Sequence, residues 1–399
     1  MHILFLSRWY PFPPTNGSKL RIYNLLKAIC SRHTITLLTF IEPGESISPP
    51  AVSIQNLVEI QTILRKPFNP TGWRARLGLF SPKPRFVIDT YSVEMENAIR
   101  NVLQKTNVDL VIASQFDMAI YRPVFRDTAA IFEEIEIGVF SQRVVEAKYF
   151  LQQFRSWLTW AKHRRYLGQL LSSFQLGTVV SAREAELVRD AFSVSNLVKI
   201  VPNCINLADY EGYHTTTPNP KRLIFTGSFS YEPNYQAMRW FVDSVFPLVL
   251  QSHPDTQLVI TGDIAGKDLG GSGNIMQTGM VDDIRPWVAG AWISLAPIQT
   301  GGGTRLKILE AMGLRSAVIS TNKGVEGLDI EPDEHLLVAD TPDDFLAAVR
   351  KLLDDPFLRA QLTTNAYQLV KEKYDLVGQT SNILNIIDQV TLKYSRNRL

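Results

Sequence analysis

The chain has 399 residues, enough for two to three domains of ordinary size. A hydrophobic fraction of 45% and a charged fraction of 20%, with 23 Gly and 22 Pro, exclude collagen-like, coiled-coil and wholly disordered chains. Two cysteines cannot form a disulfide framework, so a reducing cytoplasm is the expected compartment.

The net charge of +2 is unevenly distributed. Residues 1–200 carry 24 Lys and Arg against 16 Asp and Glu, whereas residues 201–399 carry 17 against 23. This asymmetry indicates two domains with different partners, the basic one facing an anionic partner such as lipid headgroups or a phosphorylated substrate. Charge drift without functional meaning is the alternative.

Strands and helices alternate in the first half. An apolar segment from His2 to Ser7, a Pro-rich loop, a helical pattern over residues 20–29 and an apolar segment from Thr34 to Phe40 predict a β-α-β unit. Further strands are predicted at residues 109–113, 129–132 and 177–181. This alternation is typical of a parallel sheet covered by helices on both faces.

The alternation restarts after a strand at residues 198–201 and a polar linker at residues 207–220. Later strands are predicted at residues 222–226, 258–261, 292–296, 317–320 and 336–339, and helices at residues 234–252, 304–312, 343–353 and 376–392. We therefore predict an α/β protein with doubly wound domains at 1–205 and 206–375. The C-terminal helix, within 376–399, could belong to either domain, including by packing back on the first.

Residues 296–312 form the most informative segment: a strand, a triple-glycine loop and a helix. Thr304 is a suitable N-cap, and the free amides of a helix start favour a phosphate or diphosphate. Glu310 lies two turns into the helix, where its carboxylate could hold the vicinal hydroxyls of a ribose, while Arg305 and Lys307 add positive charge. A flexible loop before a solvated helix is the alternative.

This segment resembles the nucleotide-binding signature of the retaining glycosyltransferases of family 4, also called group 1. Shorter motifs in the same order extend the resemblance over nearly the whole chain: 12–18, 201–203, 224–227, 258–262, 279–281 and 324–327. The resemblance implies a GT-B fold, in which two Rossmann-like parallel-sheet domains face a cleft that holds a nucleotide sugar.

The resemblance also implies roles for individual residues. Glu310 matches the residue that holds the ribose, Leu306 and Lys307 match positions whose backbone amides meet the diphosphate, and Val281 falls where the base is received. Gly17, with Ser18 beside it, matches a glycine loop of the first domain. The predicted donor site also includes Gly227, Gly302, Gly303, Thr304 and Arg305.

The sequence departs from the family pattern at three places. Gly302 stands where the first Glu of the signature contacts the donor sugar, and the basic pair after the first strand of the second domain is missing. We hypothesise that Arg305 and Lys307 replace its charge. Gln115 lies where the family has a His, which leaves no obvious catalytic His.

Three acidic residues, Glu133, Glu134 and Glu136, follow the strand at 129–132. A carboxylate there could act as a base on an acceptor hydroxyl or stabilise positive charge on the sugar. The catalytic candidates are thus Glu136, Glu134 and Gln115. The alternative is that these acids are exposed loop residues.

No metal site and no cofactor are expected, because the six His are scattered and no Asp-x-Asp triplet is present. The basic residues are too diffuse to indicate nucleic-acid binding. However, two basic aromatic stretches, 140–166 and 73–80, could contact an anionic membrane, unless the aromatic side chains pack internally. No transmembrane segment or signal peptide is recognised, so we expect a cytoplasmic protein, able to associate peripherally with the inner face of the membrane.

These observations predict a retaining, metal-independent glycosyltransferase. Its donor would be a UDP- or GDP-sugar, and its acceptor the hydroxyl of a glycan or glycolipid in cell-surface polysaccharide or glycoconjugate synthesis. Two alternatives remain at this point. One is a sugar-nucleotide epimerase of the same fold, and the other is a catalytically silent partner subunit that binds a sugar nucleotide.

Overall fold

The computed structural model describes residues 1–45, 47, 54, 56–138, 150–192, 198–270, 273–302 and 305–396. These residues form two compact units. The first contains Met1–Pro202 together with Thr380–Leu399, and the second contains Asn203–Gln379. The chain therefore returns to the first domain at its C-terminus.

The first domain contains a seven-stranded sheet in which every neighbouring pair is parallel. Its strands are β1 His2–Ser7, β2 Thr34–Ile41, β3 Leu57–Leu64, β4 Leu110–Ser114, β5 Ala129–Glu133, β6 Leu176–Val179 and β7 Val198–Ile200. Their order in the sheet is β3-β2-β1-β4-β5-β6-β7. Since the order reverses between β1 and β4, a crevice for ligands is expected beyond the carboxyl ends of these two strands.

The second domain repeats this plan with a six-stranded parallel sheet. Its strands are β8 Asn219–Thr226, β9 Gln257–Thr261, β10 Ile275–Gly279, β11 Ala291–Ala296, β12 Ala317–Ser320 and β13 Leu337–Val338. The order β10-β9-β8-β11-β12-β13 places its reversal between β8 and β11. The residues after these two strands are therefore the expected ligand-binding positions of this domain.

Helices connect the strands in both domains. In the first domain they are α1 Gly17–Cys30, α2 Trp73–Leu77, α3 Arg85–Thr90, α4 Val93–Lys105, α5 Gln115–Ala119, α6 Phe150–Leu171 and α7 Ala182–Phe192. The second half contributes α8 Glu232–Ser244, α9 Phe246–Ser252, α10 Arg285–Ala289, α11 Leu306–Gly313, α12 Pro342–Asp354, α13 Pro356–Leu369 and α14 Leu376–Arg396. None of the helices in the described ranges combines the length and apolar character that crossing a membrane requires.

Each domain has its own apolar core between sheet and helices. In the first, side chains of β1, β4 and β5 such as Leu4, Val111 and Phe132 are almost completely buried. In the second, Phe225 of β8 and Phe345 of α12 are fully buried. The strands carry near-continuous buried runs, as expected where helices cover both faces of a parallel sheet.

The predicted fold class is confirmed, but two local predictions were wrong and two strands were missed. The single helix predicted over residues 234–252 is two helices, because Val245 leaves the regular helix and the next helix begins at Phe246, with Pro247 in its first turn. Strands β3 and β10 were not predicted, since their half-buried sequences lack a continuous apolar run. The predicted linker contains two short 3₁₀ turns, and β8 begins inside it at Asn219.

Candidate functional site

The turn after β8 approaches helix α11 closely at Gly227. This glycine has φ +149°, and a Cβ built on it would lie 2.8 Å from the Lys307 Nζ and 2.7 Å from the Asn234 Nδ2. A side chain at this position would be strained by the positive φ and would require the ends of the Asn234 and Lys307 side chains to move. The predicted site residues Gly227 and Lys307 are therefore brought together, although 80 positions of sequence separate them.

Lys307 lies beside the turn where the family's basic pair is missing. Its ammonium donates a hydrogen bond to the Asn234 Oδ1 at 3.1 Å and lies 4.1 Å from the ring centre of Phe225. Burial, helped by the positive charge of Arg305, lowers the pKa of Lys307 to about 7. A bound anion would favour its charged form.

Glu310 is one turn further along α11. Its Oε1 accepts a hydrogen bond from the Tyr210 hydroxyl at 3.1 Å. Burial raises the pKa of Glu310 to about 7, against the opposing effects of Tyr210 and Lys307. No sequence pattern indicated Tyr210, which belongs to the segment predicted as a polar linker.

The loop before α11 is braced from within. Arg305 donates from Nη1 to the carbonyl of Gly302 at 2.6 Å and from Nη2 to that of Thr300 at 3.3 Å. Gly301 has φ +95°, and a Cβ there would collide with the Tyr231 hydroxyl. Helix α11 begins at Leu306 with Arg305 as its N-cap, so the prediction that Thr304 caps it was wrong. Gly303 and Thr304 lie outside the described residues.

Val281 follows β10 and is half-buried. Close to it in sequence, Asp283 accepts hydrogen bonds from the Tyr213 hydroxyl at 2.6 Å and from Arg285 at 2.9 Å. Although burial acts in the opposite direction, these donors lower the pKa of Asp283 to about 2. Asp283 is therefore a fixed negative charge that holds Arg285 and Tyr213 in place.

In the first domain, Gly17 is the first residue of α1 and Ser18 the second. The Asn16 Oδ1 caps this helix by accepting the Lys19 amide hydrogen at 3.0 Å. The Lys19 ammonium forms an ion pair with Glu45 beyond the end of β2. Gly17 and Ser18 thus lie at a helix start near the carboxyl edge of the sheet, the position that the resemblance implies.

Two catalytic candidates of the first domain contact each other. Gln115 follows β4, Glu134 follows β5, and the Gln115 Nε2 donates to the Glu134 Oε2 at 2.8 Å. Both adopt left-handed backbone conformations, with φ +66° and +57°. Such conformations are uncommon for these residue types, and strain of this kind clusters at functional sites. Burial raises the pKa of Glu134, as do the charges of Glu133 and Glu136.

Glu133, the first of the three acids in the chain, is a buried residue at the end of β5 and not an exposed loop residue. Its Oε1 accepts from the Arg21 Nη2 at 2.6 Å, and its Oε2 from the Ser114 hydroxyl at 2.6 Å. Arg21 and Glu133 are almost completely buried, and the Arg21 Nε also lies 3.7 Å from the Glu134 Oε1. Arg21 was not predicted as a site residue, because it lies within the apolar helical pattern of α1. Glu136 is half-buried two residues beyond Glu134.

The basic aromatic segments are partly described, since residues 139–149 lie outside the described ranges. The described parts of the two segments meet: the Lys162 ammonium of α6 donates to the Leu79 carbonyl at 2.7 Å. Within the described residues, no group of three or more His, Cys, Asp or Glu is arranged to hold a metal ion.

Comparison with known proteins agrees with this architecture. Residues 220–355 match the family model described as Glycosyl transferases group 1. HepE from Anabaena, solved with UDP, superimposes with a TM-score of 0.65 at 14% identity, over 98% of this chain and 100% of that one. A sucrose-phosphate synthase from Thermosynechococcus elongatus gives a TM-score of 0.70 at 15% identity, over 98% and 100%.

Two further similarities are informative. WaaG, a glycosyltransferase involved in lipopolysaccharide biosynthesis, gives a TM-score of 0.64 at 15% identity, over 97% of this chain and 99% of that one. An uncharacterized 44.6 kDa protein in the cps region of Klebsiella pneumoniae is 22% identical over 400 residues, which cover 94% of this chain and 96% of the relative.

The fold, the site in the second domain and the family match define the class of protein. The chain has the GT-B fold. Within it, residues 220–355 of the second domain match the group 1 glycosyltransferases.

Proposed function

We propose that this protein is a glycosyltransferase that transfers a sugar from a UDP- or GDP-sugar to a hydroxyl group of a growing cell-surface glycan or glycolipid. The observation that carries the proposal is the pairing of a cation and a carboxylate on α11: Lys307 beside Gly227, and Glu310 held by Tyr210. HepE has been solved with UDP and glucose, WaaG acts in lipopolysaccharide biosynthesis, and the Klebsiella relative is in a cps region. These similarities support the same donor and acceptor classes here.

In the proposed donor site, Lys307 and the first amides of α11 bind the diphosphate, and Glu310 accepts hydrogen bonds from the ribose hydroxyls. Lys307 supplies charge that the missing basic pair supplies elsewhere in the family. Arg305 braces the loop through its contacts with Thr300 and Gly302. The leaving diphosphate gains negative charge as its bond to the sugar breaks, so these groups stabilise the transition state. We propose that the reaction retains the anomeric configuration and uses neither a metal ion nor a cofactor.

On the acceptor side we propose Glu134 as the proton acceptor. Its carboxylate takes the proton of the acceptor hydroxyl, and the hydroxyl oxygen forms the new bond to the anomeric carbon. The bond from that carbon to the phosphate oxygen breaks, and its electron pair leaves with the diphosphate. Gln115 orients Glu134 through the 2.8 Å hydrogen bond. A buried carboxylate with a raised pKa suits this role near neutral pH.

The test of the donor site is a thermal-shift screen with UDP, GDP and ADP, followed by calorimetry with the nucleotide that stabilises the protein. Replacing both Arg305 and Lys307 with Ala should raise the dissociation constant at least about tenfold, the loss of one charged hydrogen bond. Lys221→Ala removes a cation that is paired with Asp255 near the start of β8, at the opposite end of this strand from Gly227, and should leave binding unchanged. Unchanged binding by the double variant would refute the assignment of these cations.

We further propose that the first domain binds an anionic membrane. Residues 60–88 and 150–171 contain six and four Lys and Arg, respectively, and no Asp or Glu. Trp73, Phe80 and Trp157 are exposed between these cations, with 91% of Phe80 accessible, and the Lys162 hydrogen bond joins the two segments into one surface. Exposed aromatic side chains surrounded by cations fit the interface of an anionic bilayer.

Flotation with liposomes tests the membrane proposal. The protein should float with vesicles of phosphatidylglycerol and phosphatidylethanolamine at low salt, and less at high salt because ions screen the attraction. Trp73→Ser with Phe80→Ser should reduce the floated fraction severalfold. Phe357→Ser, an equally exposed aromatic residue of the second domain, is the matched control. Equal flotation of all variants, or none by the wild-type protein, would argue that these residues serve another purpose.

A further inference from the structure

Two neighbouring carboxylates share one guanidinium at the carboxyl edge of the first sheet. Arg21 contributes Nε at 2.9 Å and Nη2 at 2.6 Å to the Glu133 Oε1, and donates from Nη2 to the Val201 carbonyl at 3.1 Å. Glu134 lies further from it, with its Oε1 3.7 Å from the Arg21 Nε. Among the described residues of this cluster, the charges therefore do not balance, and the less compensated carboxylate is Glu134.

The surroundings of the two acids also leave Glu134 less compensated than Glu133. Glu133 accepts from Ser114 on its second oxygen and exposes only 4% of its side chain, so its carboxylate is enclosed by donors. Glu134 exposes 16% and is held by Gln115, a neutral donor. Both residues hold uncommon backbone conformations, which persist only where the surrounding structure fixes them.

We propose that Arg21 is a positioning residue for the reaction: it commits its charge to Glu133 and thereby leaves Glu134 as the carboxyl group that exchanges a proton with the acceptor. This inference rests on the proposed role of Glu134 and adds two residues to it. Glu133 is the anchor that holds Arg21 in place, and the distribution of one positive charge over two acids determines which of them is reactive.

Four groups act on the Glu134 carboxyl from the elements around it. Arg21 of α1 stabilises its charged form, and so does the hydrogen bond from Gln115, while Glu133 of β5 and Glu136 of the following loop destabilise it. Removing Glu133 should therefore lower the pKa of Glu134, and removing Arg21 should raise it. Each change should be about one unit or more, as expected for charges at this separation. Removing both should return the value close to that of the wild-type protein.

The experiment is a pH titration of the full-length protein, labelled with carbon-13 at the glutamate carboxyl groups and followed by NMR. The Glu134 signal is assigned by its loss in Glu134→Gln. We expect the midpoint to rise in Arg21→Gln, to fall in Glu133→Gln and to return in the double variant. Arg122→Gln, which removes another buried arginine of this domain whose hydrogen bonds go to carbonyl groups, should not move it.

Three outcomes would overturn the inference: no shift in Glu133→Gln, shifts of the same sign in both single variants, or an equal shift in Arg122→Gln. If Arg21→Gln does not fold, two other variants still test the inference. Arg21→Lys keeps the positive charge, and Glu133→Gln removes the carboxylate that anchors Arg21. The titration needs no donor or acceptor. Shifts as expected combined with full turnover by Glu134→Gln would therefore refute the proposed base while leaving the coupling to Arg21 established.

Discussion

Among single residues, two groups of the proposed donor site are buried, and burial makes their ionisation unfavourable. Burial raises the pKa of Glu310 from 4.5 to about 7 and lowers that of Lys307 from 10.5 to about 7. The stability that protonated Glu310 contributes is present below pH 4.5 and is lost as the pH rises to about 7. The stability from neutral Lys307 is present above pH 10.5 and is lost as the pH falls to about 7. A diphosphate bound beside Lys307 and a ribose bound beside Glu310 would offset the free-energy cost of ionising these two groups.

These two groups predict how UDP binding depends on pH. Binding should be strongest near pH 7. It should weaken below about pH 7 because Glu310 takes up a proton, and above about pH 7 because Lys307 loses its proton. On each side of the maximum, the change in the dissociation constant should approach about tenfold per pH unit. Calorimetry between pH 5.5 and 9.5 measures this, with Glu310→Gln losing the change on the acid side and Lys307→Met the change on the alkaline side. A flat profile in the wild-type protein would contradict the assignment.

A glycine substitution isolates the close approach at Gly227. We expect Gly227→Ala to weaken UDP binding at least about tenfold, because its Cβ would displace Lys307 and Asn234. Gly266→Ala is the matched control: this residue also has a positive φ, +71°, but a Cβ there meets nothing within 4 Å. It should lose stability through backbone strain and still bind UDP. Equal losses of binding in both variants would show that strain alone explains the effect.

At the scale of elements, α14 joins the end of the chain to the first domain. Ile383, Ile386 and Ile387 line the same small apolar cavity as Phe5 of β1 and Leu25 of α1. The helix is amphipathic, with these residues on its buried side and Leu392 exposed. Its packing rather than its helical propensity determines which domain it joins.

The docking of α14 predicts unequal costs for two similar truncations. Ile387→Ala should reduce the free energy of unfolding by about 2–5 kcal/mol, because Ile387 is 1% exposed and its loss enlarges a buried cavity. Leu392→Ala, at a residue 64% exposed, should change it by less than about 0.5 kcal/mol. Urea denaturation followed by fluorescence compares them. Similar midpoints for both variants would mean that α14 does not stabilise the first domain.

At the scale of the whole molecule, the two domains carry charges of opposite sign and different binding groups. The basic, aromatic surface lies on the first domain, whereas Lys307 and Glu310 lie on the second. Each sheet also has one order reversal, between β1 and β4 and between β8 and β11. The duplicated fold thus offers two edges for ligands, and the residues at each edge differ in chemistry. The prediction that the substrates lie in a cleft between the domains stays a prediction.

Hydrogen exchange followed by mass spectrometry tests which of the two domains binds the nucleotide. UDP should slow exchange in peptides that cover residues 226–234 and 305–312, because these hold the turn at Gly227 and the start of α11. Uridine, which lacks phosphates, should protect them less. Protection confined to residues 1–202 would place the nucleotide in the other domain and contradict the proposed donor site.

The sequence alone determined the fold class and located the strand, loop and helix that carry the proposed donor site. Apolar runs, helical periodicity and glycine loops are local signals, so they identified both sheets and the strand, loop and helix around residue 302. They failed at the half-buried strands β3 and β10, where local signals are weak. They also failed at Val245, where one continuous apolar pattern is divided into two helices.

Only the tertiary structure determined which side chains act together. Arg21 and Glu133 are 112 positions apart, and Tyr210 and Glu310 are 100 apart, so no spacing in the chain predicts either pair. Their contacts arise because tertiary packing brings α1 to the end of β5 and the turn at Tyr210 to α11. Burial then shifts the pKa values of Glu134, Lys307 and Glu310, which their positions in the sequence could not reveal.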